Sequence, residues 1–218
     1  MNTIAPDQDS HAPPQGKGDV PDRILDIALA MAEEGGWGAL RLRHVAERAG
    51  ISLVELQAHY RDQDAIANAW FQRALAAMLA PPAEGFEALP AQERLYLVLM
   101  RWFDALAPHR EVTAGMLGEK LHLPHAHHWV PMIFDLSRTI HWLRDAALLD
   151  ATGRRRQLEE VGLTWLFLAT LAIWRRDDSP GQERTRAFLK RRLARADRAM
   201  VRLLGVGQPP AERAAENG

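Results

Sequence analysis

Apolar residues recur along most of this chain at intervals of three and four, a spacing that predicts helices and not strands. The first stripe, Ile24, Ile27, Ala28 and Met31, predicts a helix over 22–34 that ends at Gly35-Gly36. Leu42, Val45, Ala46 and Ala49 share one face of a short helix, which Gly50 stops because glycine enters the left-handed backbone region at no steric cost. Ile51 plugs the corner. Ser52 then suits the N-cap of a second short helix over 53–60, its hydroxyl able to accept from a free amide in the first turn. A longer helix is expected from Asp64 through Trp70, Phe71, Leu75 and Leu79, up to Pro81-Pro82.

Beyond Pro90 the pattern stays helical. Leu95, Val98, Leu99, Trp102 and Phe103 predict an amphipathic helix over 91–106, and a shorter one follows over 112–121. Residues 122–131 (HLPHAHHWVP) read as a break bounded by prolines, and 132–149 resumes a helix through Phe134, Ile140, Leu143 and Leu148. The most apolar stretch, 157–174, is expected at a core or a subunit seam. A turn over 177–181 precedes the last helix, 183–204. The fold class is therefore all-α: a helix-turn-helix domain over 21–80, then a larger helical domain over 91–204. Residues 1–20, rich in Pro, Gly, Gln and Asp, read as a disordered arm, and 205–218 as a flexible tail.

Composition narrows the function. A chain of 218 residues suits one compact unit with two subdomains. Its net charge of -1 and pI near 6.8 give no global attraction to nucleic acid or membrane, so such binding must be local. Without cysteine there are no disulfides, cysteine-ligated metals or thiol nucleophiles. No apolar run reaches the length of a membrane span and the first twenty residues lack a signal peptide's apolar centre, so a cytoplasmic location is expected.

Catalytic chemistry finds no footing. Glu159-Glu160 are neighbours on different helix faces, Asp177-Asp178 lie in a turn, and neither a Gly-rich phosphate loop nor a Gly-x-Ser-x-Gly elbow occurs. No enzyme activity and no cofactor are expected. His122, His125, His127 and His128 fit no zinc-ligand spacing, so no metal is assigned to them.

Helix, glycine break, tight helix pair closed by an aromatic, long helix: over residues 22–79 this order resembles the amino-terminal domain of the TetR family of one-component repressors. The matching positions are Val45-Ala46, Ala49-Gly50-Ile51-Ser52, Leu56, His59-Tyr60 and Asp64-Ala65-Ile66. The resemblance implies a homodimer that binds an operator through Arg41, Arg43, His44, Ser52, Gln57, His59 and Tyr60, and Gln57 has the groups to read adenine. The chain departs from the family where a Gly-Thr pair, a tyrosine and a lysine are usual; Val54-Glu55, Gln57 and Gln63 stand there. Arg41, Arg43, Arg48 and Arg61 are also balanced by Glu47, Glu55, Asp62 and Asp64, whereas a groove binder carries a basic footprint. Retention of the helix pair for packing alone is the competing reading.

The second subdomain is rich in aromatic residues, which form either an ordinary core or the wall of an apolar cleft for a lipophilic ligand. The cleft reading places Trp102, Phe103, Met132, Trp142, Trp165 and Leu168 on that wall. The last helix sets Arg184, Arg186, Lys190, Arg191, Arg192, Arg195, Arg198 and Arg202 against a stripe of Leu189, Leu193, Ala196, Met200 and Leu203. Such a helix suits an anionic membrane surface, contacted by Arg191, Arg192, Leu193 and Arg195. A solvated basic face on a core or seam helix is the alternative.

Residues 162–193 also resemble the carboxy-terminal domain of the ubiquinone-biosynthesis accessory family, the ninth Coq protein. The shared elements are Trp174, Asp178-Ser179-Pro180, Thr185, and Phe188-Leu189 before Arg191-Arg192. That resemblance implies a TetR-like fold that binds lipid and membrane and does not read DNA. An arginine-rich 150–160 replaces the family's polar Asp- and Asn-containing segment. Two functions therefore stand: a TetR-like regulator that senses a lipophilic ligand, and a lipid- or isoprenoid-binding accessory of ubiquinone synthesis.

Overall fold

The computed structural model describes residues 20–120 and 129–204. They form α1 (Val20–Gly35), α2 (Leu42–Ala49), α3 (Leu53–His59), α4 (Gln63–Met78), α5 (Ala91–Leu106), α6 (Arg110–Lys120), α7 (Trp129–Ala146), α8 (Gly153–Trp174) and α9 (Glu183–Leu204), with no strand among them. The all-α expectation is met. The arm over 1–19, the histidine segment 122–128 and the tail over 205–218 lie outside the described residues.

The first three helices enclose a core of their own. α1 buries Ile24, Leu25, Ala28, Leu29 and Ala32, and the next helices cover that stripe with Val45, Ala46 and Leu56. α4 adds Ile66, Ala67 and Trp70, then continues along α5, so one long helix belongs to both parts of the molecule. It starts one residue before the expected Asp64. Asp62 is its N-cap, accepting from the Ala65 amide at 2.7 Å.

In the larger part, α5 lies centrally against α4, α7 and α9. Its Trp102 and Phe103 meet Phe167 of α8 with ring centroids 4.9 and 5.9 Å apart, and Phe103 meets Trp174 at 5.7 Å. α6 joins the two parts. Gly115 sits so close beneath Trp37 that a Cβ there would lie 3.3 Å from the tryptophan's own. Trp70 donates from Nε1 to Thr113 at 2.9 Å, and His109 Nδ1 lies 2.7 Å from Glu33.

Three helix ends lie three or more residues from where the sequence pattern puts them. α7 begins at Trp129 and contains Pro131 in its first turn, where proline's missing amide breaks no helical bond. It stops at Ala146, earlier than 149, because Leu148 takes a positive φ of 55°. The Leu149 amide then donates to Arg144 O and that of Leu148 to Asp145 O, a Schellman closure usually given to glycine. α8 starts a turn earlier than 157, and Arg155–Glu159 and Arg156–Glu160 pairs run along its added turns.

Candidate nucleic-acid interface

The α2–α3 corner is fixed by local hydrogen bonds that its sequence dictates. Gly50 adopts the left-handed conformation (φ 67°), and its amide donates to Glu47 O while the Ile51 amide donates to Ala46 O. Ser52 caps α3, its Oγ accepting from the Glu55 amide at 3.1 Å. Leu56 is buried beneath the helix. α3 is therefore set at a defined angle with its outer face free.

Charge on this face is sorted in a way that the neutral count conceals. Arg48 turns back to α1 and holds both carboxylate oxygens of Glu34, at 2.8 and 3.0 Å, an arrangement that keeps the Glu34 carboxyl below its ordinary pKa range. Arg61 pairs with the adjacent Asp62 at 3.0 Å. Arg41 instead donates to the carbonyls of Gly38 and Leu40, and Arg43 to the ring of His44. Among the described residues neither Arg41 nor Arg43 has an ion pair. Two uncompensated, exposed guanidinium groups thus stand at the start of α2.

The expected contact residues fall into two groups. Arg41, Arg43, His44, Gln57 and His59 are exposed around α2 and α3. Ser52 is exposed too, with its hydroxyl engaged as the cap. Tyr60 departs from expectation: it follows α3, is only 7% exposed, and donates from its hydroxyl to Pro21 O at 3.0 Å. Its ring is needed to close the core, so it is a packing residue and not a free contact. Gln63 likewise turns inward, donating to Trp37 O at 2.9 Å.

Sequence reasoning missed one feature of this face. Leu53 and Val54 are 53% and 80% exposed, and with Leu42, Leu56 and Gln57 they line a shallow groove of about 370 Å³. The signal was present in the apolar pair Leu53-Val54 itself: Val54, two residues from buried Leu56, falls on the opposite side of the helix and cannot turn inward with it.

The expected ligand wall is not brought together. Trp102 and Phe103 are buried in the aromatic cluster, whereas Trp142, Trp165 and Leu168 are exposed, Trp165 by 71%. α8 is apolar on two sides, and Leu163, Phe167 and Trp174 take the inward one. Trp142, Trp165 and Leu168 therefore cannot share a cleft with Trp102. The Met132 side chain lies outside the described residues.

The membrane expectation is corrected at Leu193. It is buried, as is Leu189, because the apolar stripe of α9 completes the core against α5 and α8. Arg191, Arg192 and Arg195 remain exposed on the opposite face. No helix among the described residues is long and apolar enough to cross a membrane, and no group of metal-ligating side chains occurs among them.

The Asp-Ser-Pro segment has a structural role. Buried Asp177 accepts from the amide and hydroxyl of Ser179 and of Thr185, fixing the entry to α9. Burial by itself raises the carboxyl's pKa, but the four bonds outweigh it and bring the value down to about 2. Arg110 donates to the Asp177 carbonyl, and Gln182 links Trp174 Nε1 to Asp104, at 2.7 and 2.8 Å.

The fold has counterparts among known proteins. A TetR transcriptional regulator from Nitrosomonas europaea is 39% identical, with a TM-score of 0.72 over 80% of this chain and 96% of that one. A TetR transcriptional regulator from a Rhodococcus species (17% identical, TM-score 0.56, 79% of this chain and 92% of that one) shares the fold. So does PfmR, a TetR family regulator from Thermus thermophilus (19% identical, TM-score 0.53, 79% and 98%). An uncharacterized HTH-type transcriptional regulator in the dhlA 5' region of Xanthobacter autotrophicus is 38% identical over 65 residues, 28% of this chain. That match spans about a third (32%) of the relative's length. No protein-family model matches the chain.

Proposed function

Because the chain belongs to the TetR family of transcriptional regulators, we propose that it binds operator DNA as a homodimer and responds to a lipophilic small molecule. The observation that carries the DNA reading is the exposed outer face of α3, rigidly capped, beside the uncompensated Arg41 and Arg43. A helix held this way enters a major groove, with flanking guanidinium groups on the phosphates. His44 and His59 extend the polar rim, and Gln57 presents a carboxamide to the base edges.

The dimer reading rests on α8. Leu158, Val161, Trp165 and Leu168 follow helical spacing on its outer side and are exposed in the single chain. A second copy that buries the same stripe forms the two-fold seam that paired half-sites require. The ligand site belongs around Trp102, Phe103 and Phe71, where apolar rings from α4, α5 and α8 meet. α6, wedged against Trp37 by Gly115, is the element through which a change there reaches the α2–α3 pair.

The accessory reading, with its membrane docking, is not favoured, although Arg191, Arg192 and Arg195 are exposed. Thr185 is bound to Asp177 at the entry to α9, and Leu189 and Leu193 of the amphipathic helix are buried in the core. Titration of the full chain onto duplex DNA flanking its own coding sequence tests the proposal. A saturable complex that resists excess unrelated duplex is expected; binding no better than to unrelated duplex at low salt would remove the operator role.

A further inference from the structure

We infer that the operator half-site is read chiefly through thymine methyl groups, touched by Leu53 and Val54, beside an adenine held by Gln57; this rests on the operator reading above. α3 contains no arginine or lysine. Those side chains are the usual partners of guanine, whose major-groove edge offers two acceptors. Arg61, the next cation along the chain, is engaged by Asp62. Glu55, an acceptor when ionised, finds no donor on a guanine edge; the partner it fits is the N4 amine of cytosine or the N6 amine of adenine.

The start of α3 is apolar instead. Val54 and Leu53 stand out into solvent above a groove that Leu42 and Leu56 continue. An isolated exposed leucine is ordinary, but here two adjoining apolar residues occupy the outer turn of the helix that faces the groove. The thymine 5-methyl is the apolar group that a major groove presents. Gln57 follows Val54 by three residues and Leu53 by four, so the three side chains lie on one side of the helix, with Cβ atoms about 5–6 Å apart. That distance covers one to two base-pair steps. A carboxamide donates to adenine N7 and accepts from its N6 amine, giving the polar half of the same short A·T-rich element. Arg41 and Arg43, exposed and without carboxylate partners among the described residues, match a polyanion; an apolar peptide in the groove would leave both unused.

The test is selection from a randomised duplex library by the full chain, followed by replacement of single thymines with deoxyuridine, which lacks only the methyl. Enriched half-sites should carry thymine next to adenine at the positions that Leu53, Val54 and Gln57 touch. Each methyl that is touched should weaken binding roughly fourfold when removed. Val54→Ala, at a position too exposed to affect folding, should bind the thymine duplex more weakly and become insensitive to deoxyuridine at one position. A selected site with no thymine beside adenine, or equal affinity for thymine and deoxyuridine duplexes, would overturn the methyl readout while leaving the operator reading in place. No enrichment of any sequence would overturn both.

Discussion

The hydroxyl of Tyr60 donates to the backbone carbonyl of Pro21 at 3.0 Å, tying the exit of α3 to the first turn of α1. This bond spans the whole helix-turn-helix domain, and the ring beneath it is buried. Tyr60→Phe should therefore cost about 1 kcal/mol of stability in a denaturant titration, the ordinary contribution of a single hydrogen bond. The folded variant should keep its salt-dependent DNA affinity. A stable variant that no longer bound DNA would return Tyr60 to the contact set.

Asp177 gives the protein an acid-sensitive joint. Its folded-state pKa of about 2 lies below the ordinary 3.8, so its stabilising contribution is complete above about pH 4 and is lost as pH falls towards 2. The difference corresponds to about 2 kcal/mol. Asp177→Asn, which cannot ionise, should be less stable at neutral pH and should lose less stability than the unaltered chain between pH 4 and 2. Parallel stability curves over that window would contradict the assignment.

What the sequence discloses here is mostly what neighbouring residues decide. Gly50, Ile51 and Ser52 act on amides a few positions away, so the corner between α2 and α3 follows from their identities. Relationships across the fold are not legible in that way. The pairing of Arg48 with Glu34 depends on how α1 and α2 pack, and the neutral charge count hides that it leaves Arg41 and Arg43 exposed. The aromatic richness of 162–174 is equally silent about direction: with apolar residues on both sides of α8, only packing against α5 decides that Phe167 turns in and Trp165 out. Leu193 illustrates the same limit, since a core stripe and a membrane-facing stripe have one spacing.

Leu148 is a site where the chain can be improved. A branched side chain at φ 55° closes α7 where glycine would carry no Cβ penalty. Leu148→Gly should raise stability by about 1 kcal/mol, because relief of the left-handed strain exceeds glycine's added unfolded-state entropy. A lower thermal midpoint for the variant would mean that the exposed leucine contributes packing that outweighs its strain.

Trp165 tests the seam. Trp165→Glu places a charge on the outer face of α8, remote from the inward Phe167, so a monomeric chain should keep its helical content. Sedimentation velocity should report a dimer for the unaltered protein and a shift to monomer for the variant at the same concentration. A variant that remains dimeric would move the seam off α8.

The central claim is that α3 and its flanking arginines form a working DNA-reading surface. Its most direct test is the slope of log affinity against log salt, measured for the unaltered chain and for Arg41→Ala/Arg43→Ala on the same selected duplex. Each lost phosphate contact should reduce the magnitude of that slope by about 1, so the double variant should be flatter by about 2 and weaker at low salt. An identical slope and affinity for the two proteins, with the variant folded, would contradict the account.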